Sequence, residues 1–240
     1  MNLKVWFQVL VVLAVVYACG NAADEAPEPP LDPDLGKSYF FLKEGKYREY
    51  NVLEIRYYAV DISDTFQYQL REEVGDPFTN NTGKTSYFIN RYIRNDQAQP
   101  WELDSVWTAR IDGDKAISVE NNVPLVKMVF PVDTTKRWDG NLLKSREVVT
   151  QKYLNFNSNF TVGLNTFLET SEIEINNDED GITFRDIRKE VYRDSIGLIY
   201  KLIDQVKICS RPECIGQELI ESGRFYREEL YAHGFINEED

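Results

Sequence analysis

Apolar and polar residues alternate along much of the chain, and this alternation predicts β-strands. In residues 47–63, YREYNVLEIRYYAVDIS, the side chains of Leu53, Ile55 and Tyr57 share one phase of an extended chain. Strands that bury one face alternate in this way. Comparable runs continue to the end of the chain, over residues 65–74, 84–96, 101–122, 123–132, 145–156, 166–194, 194–209 and 222–234. The chain is therefore predicted to consist mostly of strands, with short helices as alternatives over 145–156 and 222–234.

Short turn-forming segments separate these runs. The pairs Asp112-Gly113 and Asp139-Gly140 are typical of tight turns, and residues 176–181 form a longer acidic turn. About ten strands joined by such turns form an antiparallel meander, and a sheet of that size has to curl, split or close. We expect one mainly β domain over residues 38–240, folded as a strongly curved sheet, half-barrel or open barrel, with a β-sandwich as the alternative.

The N-terminus carries the features of a signal peptide. Lys4 precedes an uncharged apolar run that ends at Ala18, too short to span a bilayer as a helix. Val16-Tyr17-Ala18-Cys19 resembles a bacterial lipobox, which implies cleavage before Cys19 and attachment of diacylglycerol to its sulfur. We therefore expect a signal helix over residues 1–18 and a lipid-anchored Cys19. An ordinary secretory signal with an incidental cysteine is the alternative.

Residues 19–37 are acidic, rich in proline and almost free of large apolar side chains. Such a segment cannot bury a core and stays solvated. It is interpreted as a disordered tether between the lipid and the folded domain. The expected partner at this end of the chain is the membrane, reached through the lipid.

The chain is strongly acidic, with 40 Asp and Glu against 27 Lys and Arg and a formal net charge of -13. Nucleic acid binding depends on Lys and Arg that neutralise phosphates, so we expect no nucleic acid partner. The same charge disfavours adsorption to anionic lipid headgroups. The composition therefore indicates a membrane link through the lipid and not through a basic patch.

Once Cys19 is acylated, two cysteines remain, Cys209 and Cys214, separated by the turn residues Ser-Arg-Pro-Glu. An oxidising compartment favours a disulfide between them. A metal site or a redox pair is the alternative, but a metal site needs further ligands and His233 is the single histidine. We expect no metal and no cofactor.

The segment WELDSVW carries the candidate binding surface. Glu102 and Asp104 lie between Trp101 and Trp107, and on a regular strand the two carboxylates share a face about 6–7 Å apart. Two acids beside aromatic rings are what a glycoside hydrolase uses, although an amphipathic strand with its acids in water also explains them. Beyond these acids the chain has no nucleophile motif or phosphate-binding glycine loop, so we expect no catalytic residue and no enzyme.

A second candidate is Asn121-Asn122, beside an apolar run. These amides either form a turn or line a pocket, and together with the WELDSVW residues they complete the candidate surface.

Several segments in order resemble uncharacterised envelope lipoproteins of Bacteroidota. They are WELDSVWTARIDGDKAISVENNVPLVKMVFPV, the turn RWDGN, the late strand SIGLIYK and the CxxxxC pattern that follows it. The resemblance covers residues 39–234 and implies an outer-membrane, periplasm-facing lipoprotein. It implies no activity.

Three functional hypotheses follow. The first is non-enzymatic binding of an apolar or peptide ligand on the curved sheet, which requires an apolar cavity. The second is a structural or assembly partner in an outer-membrane complex. The third is a glycoside hydrolase that uses Glu102 and Asp104.

Overall fold

The computed structural model describes residues 36–236, and most of them lie in antiparallel strands. The predicted mainly β fold is confirmed. The strands are β1 (Lys46–Ala59), β2 (Ile62–Thr79), β3 (Thr85–Arg94), β4 (Glu102–Asp112), β5 (Lys115–Glu120), β6 (Val123–Val129), β7 (Arg137–Asp139), β8 (Thr150–Val162), β9 (Asn165–Glu179), β10 (Phe184–Arg193), β11 (Gly197–Ile208) and β12 (Ile220–Phe235). A single 3-10 turn, Lys37–Phe40, precedes them in the described chain. The expected signal peptide, Cys19 and tether residues 19–35 lie outside the described residues.

All twelve strands belong to one sheet, in the order β6-β5-β4-β3-β2-β1-β12-β11-β10-β9-β8-β7. The first and last strands, β1 and β12, are therefore hydrogen-bonded neighbours at the centre of the sheet. The two edge strands also meet: Val126 N donates to Gly140 O at 3.0 Å, and Trp138 Nε1 donates to Val126 O at 3.1 Å. These contacts nearly close the sheet, so the expected open barrel is confirmed. We call the contact between the β6 edge and the β7 edge the seam.

The structure has more strands than the sequence pattern predicts, because the predicted turn RWDGN contains the edge strand β7. This strand is only three residues long and is followed directly by Gly140, so alternation cannot reveal it. The ambiguous segment 145–156 becomes a strand from Thr150 onwards, whereas residues 140–149 form a loop. Residues 222–234 lie within β12 and are extended.

The connection between β5 and β6 is a two-residue turn formed by Asn121 and Asn122. Their φ angles are 50° and 63°, and Glu120 pairs directly with Val123 across the turn. Asparagine tolerates this left-handed region better than most residues, which explains why two of them occupy the turn.

Buried apolar side chains form three clusters inside the sheet. The largest, which lies beside the seam, contains Tyr39, Ala116, Val126, Met128, Val129, Phe130, Val132, Trp138, Tyr153, Ile173 and Tyr192. The second contains Tyr50, Val52, Leu70, Val162, Val191, Ile196, Ile199, Tyr226 and Leu230. The third contains Val74, Ile89 and Ala109. Within residues 36–236, no helix has the length and apolar character needed to span a bilayer.

The two described cysteines close the loop that follows β11. Cys209 and Cys214 are joined by a disulfide with 5.8 Å between their Cα atoms, and both residues are buried. Cys209 N also donates to Leu219 O at 2.7 Å, so the loop returns the chain to the start of β12.

Candidate functional site

The two tryptophans of the predicted binding surface stack against arginines. The Arg94 guanidinium lies 4.1 Å from the ring centroid of Trp101, and the Arg91 guanidinium lies 3.7 Å from that of Trp107. Both rings are half-buried. These cation–π contacts engage the faces of the rings with the protein itself.

The carboxylates of Glu102 and Asp104 are exposed on β4. A β-bulge interrupts the pairing of β3 with β4 here, since Arg91 pairs with Ser105 and the next residue, Tyr92, pairs with Leu103. The bulge breaks the regular alternation on which the shared-face prediction depends. Asn121 and Asn122 are exposed in their turn. Of the six predicted surface residues, Trp107 alone lines the central cavity described below.

A set of charged side chains that the sequence analysis did not single out lies inside the barrel. We call it the charge layer: four cations and four carboxylates, namely Arg48, Arg91, Lys127, Lys201, Glu72, Glu120, Glu190 and Glu228. They come from eight different strands and balance one another in charge.

The first half of the charge layer is a chain of arginines and glutamates. Arg48 Nη2 lies 3.5 Å from Glu72 Oε2, and Arg91 Nε lies 3.1 Å from Glu72 Oε1. Arg91 continues the chain through Nη2, which lies 3.5 Å from Glu228 Oε1. The Tyr226 hydroxyl donates to the same Glu228 oxygen. Each of these carboxylates is therefore paired or hydrogen-bonded, as burial of a charge requires.

The second half is built around two lysines and two glutamates. Lys127 Nζ lies 2.5 Å from Glu190 Oε1 and 3.3 Å from Glu120 Oε1. Lys201 Nζ lies 3.7 Å from Glu190 Oε1 and 4.0 Å from Glu120 Oε2. The Tyr192 hydroxyl donates to Glu190 Oε2 at 2.6 Å.

The electrostatics of the two halves differ. Although burial by itself raises the pKa of Glu120, the ammonium groups of Lys127 and Lys201 lower that pKa to about 2. The same two lysines hold the pKa of Glu190 below its usual value against the effect of burial. For Glu228 burial prevails and raises the pKa, despite the attraction of Lys201 and Arg91. Glu120 and Glu190 thus stay charged well into the acid range.

A central cavity of about 60 Å³ lies between the two halves of the charge layer. Sites for organic ligands usually have about 300–1,000 Å³, whereas a few water molecules fit in a volume of this size. Arg48 Nε and Trp107 Nε1 have no hydrogen-bond partner among the described residues, and both residues line the cavity. The cavity therefore has the size and the donors to hold water, and not an acyl chain.

A larger and more open depression of about 310 Å³ lies at the seam. We call it the seam cleft. Its lining consists of Glu120, Leu125, Lys127, Asn141, Lys144, Arg146, Val149, Gln151, Ile175, Arg188, Glu190, Lys201 and Ile203. The cleft shares four of these residues with the charge layer, which forms one of its walls.

Hydrogen bonds accepted by Asp139 hold the loop 140–149 at one side of the seam cleft. Asp139 Oδ1 accepts from Asn141 N at 2.8 Å and from Val149 N at 2.9 Å. Gly140 N donates to Val149 O at 2.9 Å, so both ends of the loop meet. The cationic residues Lys144 and Arg146 are carried on a loop with fixed ends.

Among the described residues, no group of three His, Cys, Asp and Glu is arranged to hold a metal ion. Sequence reasoning missed the charge layer because its members are single charged residues on separate strands. One signal was present: Arg48 and Glu54 occupy the same phase of β1 as Val52, and all three are buried.

Comparisons with known proteins found no matching family model and no matching curated protein. Two solved structures match. One is a protein from Bacteroides fragilis described as exported and as having a YmcC-like fold, with 11% identity, a TM-score of 0.44, and coverage of 81% of this chain and 98% of its own. The other is a protein from Parabacteroides distasonis described as a lipoprotein, with 9% identity, a TM-score of 0.44, and coverage of 82% and 98%. At these values no property of either protein is transferred to this chain.

Proposed function

We propose that this protein is a lipid-anchored, non-enzymatic binding protein of the bacterial cell envelope, held at the outer membrane with its barrel facing the periplasm. Support for the anchor comes from the apolar run that ends at Cys19 and from the acidic, proline-rich tether after it. A mature bacterial lipoprotein carries several acyl chains, which give stable anchoring where one chain gives only marginal binding.

The observation that carries the binding role is the contrast in space between the interior and the seam. The central cavity between the two halves of the charge layer has only about 60 Å³, whereas three open depressions have about 480, 340 and 310 Å³. The last is the seam cleft, whose lining has the largest excess of cations over carboxylates of the three. We therefore place the binding of a ligand or of a segment of a partner protein at the open seam cleft and not in the central cavity. The first functional hypothesis required an apolar cavity, and a central cavity of about 60 Å³ with seven charged side chains in its lining does not support it.

A second candidate function, docking of an envelope protein, is favoured by apolar side chains on the outside of β3 and β4. Phe88, Leu103 and Val106 are exposed, and Phe88 stacks on Phe78 with 4.4 Å between ring centroids. Exposed apolar groups of this kind are found on surfaces that contact other proteins.

Mass spectrometry of the chain purified from bacterial membranes tests the anchor. The expected N-terminus is Cys19 with diacylglycerol on its sulfur, and Cys19→Ala should remain unlipidated and leave the membrane fraction. A wild-type chain that begins elsewhere, or that carries an unmodified Cys19, would refute the anchor.

Cross-linking in intact cells separates the two candidate functions. Photo-cross-linkers placed at Val149 in the seam cleft and at Val106 on β4 should capture different neighbours if both surfaces are used. Capture from Val106 alone would favour assembly over binding at the cleft.

A further inference from the structure

We propose that the seam cleft binds an organic anion, that is, a phosphate or carboxylate group joined to an apolar body. The proposal deepens the binding role given above and rests on it for the place of binding, but it does not require the lipid anchor. Its evidence is the charge of the cleft, the lack of partners for two of its cations, its apolar surface and the fixed loop on its rim.

The lining of the seam cleft has the opposite charge to the rest of the molecule. It contains five cationic side chains and two carboxylates, on a chain whose formal net charge is -13. An acidic protein that concentrates cations in one concave region focuses its positive potential there, because low-dielectric walls screen the charges less than open water does. An anion is the ligand that such a potential attracts.

Three of the five cations already have carboxylate partners. Lys127 and Lys201 share Glu120 and Glu190 within the charge layer. Arg188 makes two hydrogen bonds to Asp186, at 2.7 and 3.1 Å. These three cations form a wall of the cleft without leaving a charge to neutralise.

Lys144 and Arg146 are different. Neither side chain makes an ion pair with any residue between 36 and 236, although the chain is rich in acids. Burial lowers the pKa of Lys144 and the neighbouring charge of Arg146 lowers it further, and together they outweigh the opposite effect of the more distant carboxylates of Asp139 and Glu120. Two cations held side by side repel one another, and an anion bound between them relieves that repulsion.

The other residues of the lining indicate the second property of the ligand, which is an apolar body. Leu125, Val149, Ile175 and Ile203 supply apolar surface to the same cleft. A volume of about 310 Å³ lies at the lower end of the range for organic ligands and fits a ring or a short chain with its charged group. Inorganic phosphate alone would leave this apolar surface uncovered and should bind more weakly.

The rim is prepared for binding before a ligand arrives. Asp139 fixes both ends of the loop 140–149, and Asn141 Nδ2 donates to Glu147 O at 2.6 Å across it. Ordering a loop on binding costs free energy, so a loop that is already fixed gives a higher affinity for the same contacts.

Isothermal titration calorimetry on the full-length chain in a nonionic detergent tests the proposal. The probes are phenyl phosphate and phenylacetate, with inorganic phosphate to test the apolar body and benzyl alcohol and benzyltrimethylammonium to test the charge. We expect binding of one or both organic anions, weaker binding of inorganic phosphate, and no binding of the neutral or cationic probe. Affinity should fall as salt is raised, because the cleft is open to solvent.

Two variants that remove a cation locate the site, a third that keeps the charge tests it, and a fourth is the control. Lys144→Gln and Arg146→Gln should each weaken binding about tenfold, the usual effect of one charge-assisted hydrogen bond, and Lys144→Arg should retain it. Arg137→Gln is the matched control: it removes one exposed cation from neighbouring β7 without touching the cleft. Thermal unfolding confirms that each variant remains folded.

Tenfold losses in the two cleft variants with unchanged affinity in Arg137→Gln would support the proposal. Equal losses in all three, equal binding of the neutral probe, or no binding of either organic anion would overturn it. Because the measurement does not depend on the modification of Cys19, a missing anchor and a missing anion site give separate results.

Discussion

The charge layer and the seam cleft contain the same kinds of side chain and share four residues, yet they differ in whether their charges have ion-pair partners. Inside the barrel every carboxylate of Glu72, Glu120, Glu190 and Glu228 has a cationic partner, and the layer is neutral. At the cleft neither Lys144 nor Arg146 makes an ion pair with any residue of the described chain. Paired and enclosed charges stabilise one arrangement of strands, whereas unpaired charges beside open space leave interactions for a ligand.

The largest effect is expected where the charge layer is broken. Arg91→Met removes the cation that joins Glu72 to Glu228 and leaves two buried carboxylates without it. Loss of one member of a buried ion pair costs about 3–5 kcal/mol, so the free energy of unfolding in urea should fall by that amount. Arg211→Met, at exposed ion pairs with Glu213 and Glu221, is the control and should cost less than about 1 kcal/mol. Similar losses in both variants would contradict a special role for the layer.

The second-largest effect concerns Glu120, which belongs to both the charge layer and the seam cleft. Its contribution to the free energy of unfolding should depend on pH. The pKa of Glu120 is about 2 in the folded protein and lies near its ordinary value in the unfolded chain, so its contribution is present above about pH 4.5 and lost as the pH falls towards 2. Glu120→Gln should therefore unfold on the order of 2–3 kcal/mol more easily at pH 7, and this difference should shrink below about pH 4.5 to roughly half near pH 3. Parallel stability curves for wild type and variant, measured by urea unfolding from pH 7 to pH 2.5, would contradict the assignment. The exposed Glu213→Gln serves as the control.

A smaller effect is expected from loosening the rim of the cleft. Asp139→Ala removes the acceptor for Asn141 N and Val149 N, which should cost about 1–2 kcal/mol of unfolding free energy. Phenyl phosphate should also bind several-fold more weakly, because the loop then has to be ordered on binding. Asp133→Ala removes a similar turn acceptor, for Thr135 N, outside the cleft. If it weakens binding as much as Asp139→Ala does, the fixed loop is not the cause.

The smallest effect on stability should come from the cations of the cleft. Lys144→Gln breaks no ion pair of the described chain, so the free energy of unfolding should change by less than about 0.5 kcal/mol. Urea unfolding of Lys144→Gln, carried out together with that of Arg91→Met, measures this change. A loss above 1 kcal/mol would place Lys144 among the structural charges instead.

The strands and most of the turns were predictable because alternation and turn residues are local signals. The pair Asn121-Asn122 was predicted as a turn or a pocket lining, and its two positive φ angles show the turn. Strand β7 was missed because three residues before a glycine carry no periodicity. The seam was unpredictable for the same reason, since it depends on this short strand meeting β6.

The charge layer was hidden by a different difficulty. Both phases of β1 mix apolar with charged or polar side chains, so alternation identifies a strand without telling which face is inside. The buried phase contains Arg48 and Glu54, while Leu53 and Ile55 on the other phase are only half-buried. Which face turns inward is decided by partners on distant strands, such as Glu72 for Arg48. Single-sequence reasoning has no access to those pairings.

The pairing of β1 with β12 has a consequence for how the chain is made. Because β1 is the first strand of the described chain and its neighbour is the last, the ladder between them cannot form until synthesis reaches Phe235. Until then β1 presents an unpaired edge that invites pairing with another chain. Closing so long a span is also slow, since its entropy has to be lost before the contacts form.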